Sequence, residues 1–252
     1  MEKNRIKIRI YRKDPEKDTK GYFQEFDVPV EEGMVVLDAV NYVTEHYDQT
    51  IAVRWNCKAA RCGSCAAEIN GMPKLMCKTR IDQLGGVVSI EPMHAFPLVK
   101  DLVTDVNENY ETERAMPEFA PKEEKEPWII DEMDVLRSQE FRKCIECFLC
   151  QDVCHVIRDH TTKYIGPRHV AKAASLDMHP ADSLDRSKIL TEEKGLGYCN
   201  VTKCCQEVCP EHIKITDNAI IPEKERAADG FYDPIMMLIG KIKKRKNGKN
   251  VE

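Results

Sequence analysis

The sequence predicts an α+β chain in two parts, a small sheet domain followed by an all-α domain. Three patterns in its 252 residues point there. Alternation of apolar and charged residues at period two is confined to roughly the first hundred residues. After residue 130 no strand pattern appears and helix signals take over. The twelve cysteines divide the same way: four in the first third, eight in the second half and none across 78–143. The boundaries expected are a sheet domain over 1–105, a linker over 106–130, a helical domain over 131–235 and a basic tail over 236–252.

Each element has its own local reason. In RIKIRIY, residues 5–11, Ile alternates with charge, the pattern of a half-buried strand. The turn-like RKDPEKDTKG leads to a second alternating run, YFQEFDVPV at 22–30, so a hairpin is expected. Glu31, Glu32 and Gly33 break the pattern. Residues 34–47 then set Val36, Leu37, Val40 and Val43 on one helical face. Short strands are expected at 66–70 and 87–91. The prolines and charges of 111–127 read as an exposed connection. A helix over 131–142 would present Met133, Val135, Leu136 and Phe141, and Gly166-Pro167 opens another helix.

Composition narrows the class. The formal net charge is −5, from 38 basic and 43 acidic residues, which argues against a general nucleic-acid partner. Mean hydropathy is −0.49 and no apolar run reaches the ~18 residues of a membrane span. The opening MEKNRIKIRIYRKD lacks an apolar core, so no secretory signal is expected and the thiols are expected to stay reduced. Metal ligation is then the leading use for so many cysteines.

The spacings say which metal chemistry. Cys57, Cys62, Cys65 and Cys77 read C-x4-C-x2-C-x11-C, the plant-type [2Fe–2S] spacing. Three thiolates on one loop must wrap the cluster; Gly63 allows close backbone approach, and Ala59 and Ala60 add little bulk. Structural zinc sites more often pair two short knuckles. Cys144, Cys147, Cys150 and Cys154 form the C-x2-C-x2-C-x3-C run of bacterial ferredoxins, whose fourth cysteine serves the other cluster. With Cys199-x5-Cys205-x3-Cys209-Pro210, this crossing gives Cys144, Cys147, Cys150 and Cys209 to a [4Fe–4S] cluster. Cys154, Cys199 and Cys205 remain. A fourth ligand at the usual spacing would stand at 202, which is Thr202, so three ligands fit a [3Fe–4S] cluster. Cys204 is read as a spare packed thiol, because neighbours on a helix point about 100° apart; the alternative makes it the fourth ligand of a second [4Fe–4S] cluster.

Weaker signals are given their plainer readings. Gly195-Leu196-Gly197 is a turn before Cys199 rather than a nucleotide loop. His155, His160 and His169 are surface or capping residues, with a proton relay as the sharper alternative. The apolar 235–239 and the basic KIKKRKNGKN after it read as a solvated tail, with acidic lipid as the alternative partner.

CKAARCGSC at 57–65, FPLVKDLVTDV at 96–106, CQEVCP at 205–210 and the order of eleven ligand positions resemble the iron–sulfur subunits of succinate dehydrogenases and fumarate reductases. The resemblance covers about residues 5–235. It implies a β-grasp, plant-type ferredoxin domain followed by a two-cluster ferredoxin-like domain. It implies three clusters on this chain and FAD on a flavoprotein partner that oxidises succinate or reduces fumarate. A membrane anchor would handle quinone, placing the subunit peripherally on the cytoplasmic face of the cell membrane, with no catalytic residue of its own. The sequence departs from the family at His155, where proline is common after the fourth cysteine, and in having tryptophan only at Trp55 and Trp128. Two rivals stand: an iron–sulfur subunit serving another flavin dehydrogenase or a thiol-linked fumarate reductase, and a zinc-stabilised interaction protein.

Overall fold

The computed structural model describes residues 5–122, 129–159 and 163–232. His160 and the apolar and basic tail segments lie outside the described residues.

The alternating runs do form strands. β1 (Arg5–Arg12) and β2 (Tyr22–Pro29) pair antiparallel, with Ile8 opposite Phe26. Ile6, Ile8 and Ile10 turn inward, as period two requires. Helix α1 (Val36–His46) buries Val36, Leu37, Val40 and Val43, the expected face, and its first turn is fixed where the Val35 N–H donates to Asp38 at 3.1 Å. β3 (Ala66–Ile69), β4 (Met72–Leu75) and β5 (Val87–Glu91) complete a five-stranded sheet in the order β2-β1-β5-β3-β4. β1 and β5 run parallel at its centre. A two-stranded ribbon, β6 (Leu98–Lys100) and β7 (Val103–Thr104), follows.

Period two also hid something. Arg12 occupies the next inward position of β1 and is buried there. Its guanidinium donates to Asp101 at 3.1 Å, Asp48 at 2.6 Å, Gln24 at 2.6 Å and Thr50 at 2.9 Å. Charge read as solvent-facing thus ties separate segments together, because the guanidinium finds acceptors on each.

The stretch from 111 to 122 is mostly exposed, as its charges suggest, but it is anchored to the second half at several points. Helix α2 (Asn107–Arg114) lies against the second half. Its buried Asn109 accepts from Gln151 at 3.3 Å, and Glu113 pairs with buried Arg168 at 3.3 Å. Met116 enters the second core. Fully buried Arg186 then clamps the chain through the carbonyls of Pro117 and Glu118, at 2.9 and 2.6 Å. Composition gave no sign of these anchors because the partners lie some 40 to 70 residues away.

The second half is helical but irregular. Helix α3 (Glu132–Gln139) exposes Met133 and Leu136 rather than burying them; Phe141, just past its end, reaches the core. α4 (Leu149–Asp152), α5 (His155–Asp159) and α7 (Cys204–Glu207) are single turns. α6 (Pro167–Asp177) starts at its proline as expected, and α8 (Ile221–Tyr232) continues a π-helical segment, Ile215–Ile220. No helix among the described residues is long and apolar enough to cross a membrane.

Candidate metal centres

The cysteine loops owe their shape to backbone conformations that residue type did not signal. Lys58, Ala60 and Gly63 have positive φ in the first loop; Glu146 and Phe148 do so between Cys144 and Cys150; Val201 and Lys203 do so between Cys199 and Cys204. Single left-handed residues between right-handed ones turn successive N–H groups to one side, the concavity that suits anions and iron–sulfur groups. The N–H groups of Ala59 and Arg61 both point at Cys57 Sγ, at 3.4 and 3.3 Å.

Electrostatic neighbours sort the thiols into three sets. In the first loop, Cys65 feels burial above all, then Cys77 and Cys62, and is pushed up to about 12. Burial also works against a charged Cys62, but hydrogen bonding from Ser64 and from Cys57 outweighs it and brings that thiol down to about 6. In the second set, burial pushes Cys147 up to about 12, with Cys144 and Cys209 adding repulsion. Burial also drives Cys150 well above the ordinary thiol range, and its neighbours are Cys147, Cys144, Cys205 and Cys209. In the third set, burial raises Cys154, with Cys204 and Cys199 beside it. Burial takes Cys205 to about 12 against a bond from Thr216, and Cys204, Cys199 and Cys154 are its charged neighbours. Such crowding opposes four thiolates in one place unless bound cations neutralise them.

A cavity of about 220 Å³ lies among Cys144, Cys147, Cys150 and Cys209, with Arg168 and Lys172 on its wall. A pocket with four thiols and three cations, Arg142 the third, set against the carboxylates of Glu146 and Glu211, fits a negatively charged metal–sulfide group. A single zinc ion asks for donors within about 2.3 Å of one point. Among the described residues no three such donors converge in that way.

The two halves meet at these sets. A Cβ on Gly63, between Cys62 and Cys65, would lie 2.6 Å from the Cα of Cys147. Only glycine permits that approach, and its φ of +69° fits the same need. Lys78, next to Cys77, donates to the carbonyl of Pro210, next to Cys209, at 2.8 Å. The Ala95 N–H donates to buried Asp152 at 3.0 Å, and Arg158 pairs with buried Glu68.

The comparisons agree with this layout. A family model described as a 2Fe-2S iron-sulfur cluster binding domain matches residues 7–111, and one described as a 4Fe-4S dicluster domain matches 140–213. The fumarate reductase iron-sulfur subunit of Mycobacterium tuberculosis is 32% identical over 223 residues, covering 83% of this chain and 88% of that protein. This chain belongs to the iron–sulfur subunits of the succinate dehydrogenase and fumarate reductase family.

A chain of the Mycobacterium smegmatis Sdh1 complex matches with a TM-score of 0.88 and 53% identity, over 92% of this chain and 99% of that one. A chain of the fumarate reductase (CoM/CoB) of Methanothermobacter marburgensis is 35% identical over 88% of this iron–sulfur subunit. The match spans only 44% of that relative's length. The family fold accounts for the α+β order, a sheet domain followed by a helical one.

Not every candidate joins a centre. His155 Nε2 meets the Asn200 amide at 2.9 Å beside the third set. His169 is buried elsewhere, on α6, and is held down to about 4 by burial and by the charge of Arg168. Gly195 is a left-handed turn before Cys199, as its spacing suggested. Sequence reasoning missed Arg168, Tyr164 and Thr216, which stand among the thiols; no motif marks them.

Proposed function

We propose that this subunit carries electrons between the FAD of a flavoprotein partner, which interconverts succinate and fumarate, and quinone at a membrane anchor. When bound, its clusters supply one-electron carriers that link the two-electron flavin to the acceptor. Cys57, Cys62, Cys65 and Cys77 would hold the [2Fe–2S] cluster. Cys144, Cys147, Cys150 and Cys209 would hold the [4Fe–4S] cluster, and Cys154, Cys199 and Cys205 the [3Fe–4S] cluster. Cys204 takes no part in this assignment; its Sγ meets Thr202 Oγ1 at 3.4 Å. The subunit would lie against the cytoplasmic face of the membrane and leave the crossing to its anchor.

The contact of Gly63 with Cys147 supports the reading more than any other observation, because it sets the first ligand loop directly against the second. Cys150 faces both its own set and Cys205, so the middle position falls to the second set. The residues between the sets exclude water and fix the spacing; no substrate chemistry is asked of them.

The crossed ligation is the testable core. In the purified complex, Cys209→Ser is expected to abolish or alter the EPR signal of the [4Fe–4S] cluster while the [2Fe–2S] signal persists. A change confined to the third cluster would overturn the assignment. A thiol-linked fumarate reductase is the second reading, supported by the match to the methanogen protein. Reduction of the clusters by succinate, but not by a thiol pair, decides between them.

A further inference from the structure

Two hydroxyls enter the third cysteine set, and neither is called for by ligand spacing. Thr216 is buried at 1% exposure, and its Oγ1 lies 3.3 Å from the Sγ of Cys205. Tyr164 is buried nearby, with Cys199, Cys154 and Cys205 acting on its hydroxyl. A metal-bound cysteine is a thiolate and has no proton to give. In the loaded protein the Thr216 hydroxyl must therefore donate and the Cys205 sulfur accept.

The surroundings hold each hydroxyl in place. Thr216 lies on the π-helical segment Ile215–Ile220, whose widened turn differs from the α8 that follows. Asp217 beside it accepts from the Gln206 amide at 3.0 Å, its own N–H donates back to Gln206 at 3.3 Å, and Lys203 pairs with it at 2.7 Å. Gln206 and Lys203 flank Cys204 and Cys205, so this clamp locks the π turn onto the ligand-bearing helix. Tyr164 is held through its neighbour. The Ile165 N–H donates to Lys194 at 3.1 Å, and the Ile165 carbonyl accepts from Gln151 at 2.9 Å. Gly195 allows the approach: a Cβ there would sit 2.9 Å from the Tyr164 nitrogen.

We propose that Thr216 is a positioning residue that tunes the third cluster, donating an O–H···S hydrogen bond to Cys205 that raises its reduction potential. The inference rests on the ligand assignment proposed above. Its physical basis is the charge added on reduction. Donors aimed at ligand sulfurs stabilise the more negative, reduced state more than the oxidised one. A last carrier before a membrane acceptor profits from the higher potential, since electrons then run downhill from the flavin.

The test is an EPR redox titration of all three clusters in the purified complex. Thr216→Val keeps the shape and removes the donor. It is expected to lower the midpoint potential of the third cluster by up to about tenfold in its one-electron equilibrium, about 59 mV. The other two midpoints and the iron and sulfide content should stay unchanged. Thr216→Ser restores the hydroxyl and should return the potential toward wild type, which a purely packing role would not do. An unchanged third midpoint in Thr216→Val, with the cluster intact, overturns the proposal. So does an equal drop in Thr216→Val and Thr216→Ser. Failure of the ligand assignment looks different: Cys199→Ser and Cys205→Ser would then leave the third signal and the iron content unaltered.

Discussion

The sheet half and the helical half are stabilised by different things. The first core is built on Ile8, Ile10, Val28, Leu37, Val40, Ile69, Val88 and Ile90, with Cys65 and, from the second set, Cys147 among its members. The second core counts Cys150, Cys154 and Cys205 among its own, with Cys144, Cys199 and Cys209 packed against it. Its turns α4, α5 and α7 are four or five residues long, far below the ~12 that a helix needs to be marginally stable by itself. The first half builds its sheet core mostly from aliphatic side chains; the second sets its cysteines among Val170, Leu190, Leu196 and Ile220, between turns too short to stand alone. Metal binding would then contribute more to folding in the second half than in the first.

The comparison is broken most directly by removing metal. Iron chelation under reducing conditions is expected to expose the amides of 132–232 to rapid hydrogen exchange. β1, β2 and β5 should stay protected. Equal loss of protection in both halves would show that the sheet, too, depends on its cluster.

The converse change targets the sheet. Ile8 is fully buried at the centre of the first core, so Ile8→Ala should cost about 2–5 kcal/mol of its stability. Thermal melts followed by strand-specific exchange should place that loss in residues 5–91, with the [4Fe–4S] signal at wild-type intensity until the sheet unfolds.

A smaller effect separates the halves by pH. His169 is buried in the helical half, and its pKa is depressed from 6.5 to about 4. A depressed base is neutral when folded and takes up its proton when unfolded, so stability is present above about 6.5 and is lost as pH falls toward 4. Between pH 7 and 5.5 this should amount to roughly 1 kcal/mol of helical-half stability. His169→Gln should flatten that slope in denaturant titrations; an unaltered slope would place the pH dependence elsewhere.

The smallest expected effect is Cys204→Ser. Cys204 neighbours Cys154 and Cys205 but bonds to Thr202. All three clusters should survive, including the near-isotropic EPR line of an oxidised [3Fe–4S] cluster. Wild-type protein with two reduced cubanes in place of that line would make Cys204 a ligand.

Much of the sheet half was legible in the sequence because its signals are local. The Ile-charge alternation of β1 and the apolar face of α1 are each set within about ten residues of chain. α2 was not legible: its charges advertise solvent, and only the distant Arg168 and Gln151 show that Glu113 and Asn109 are partnered. α3 was legible as a helix, but not in what it faces: Met133 and Leu136 stay exposed among the described residues, while Phe141 reaches the core.

Cysteine spacing was enough to determine the metal chemistry expected here, since it limits how many thiolates one loop can bring to one cluster. Residue pattern likewise determined the order of the two parts and the first helix. What surrounds the thiols was decided by the packed chain alone. Cys147 against Gly63 and Thr216 against Cys205 are contacts between segments 84 and 11 residues apart. No local pattern encodes them, because they depend on left-handed turns at Lys58, Glu146 and Lys203, residues whose type does not call for that conformation. Tertiary packing imposes those turns.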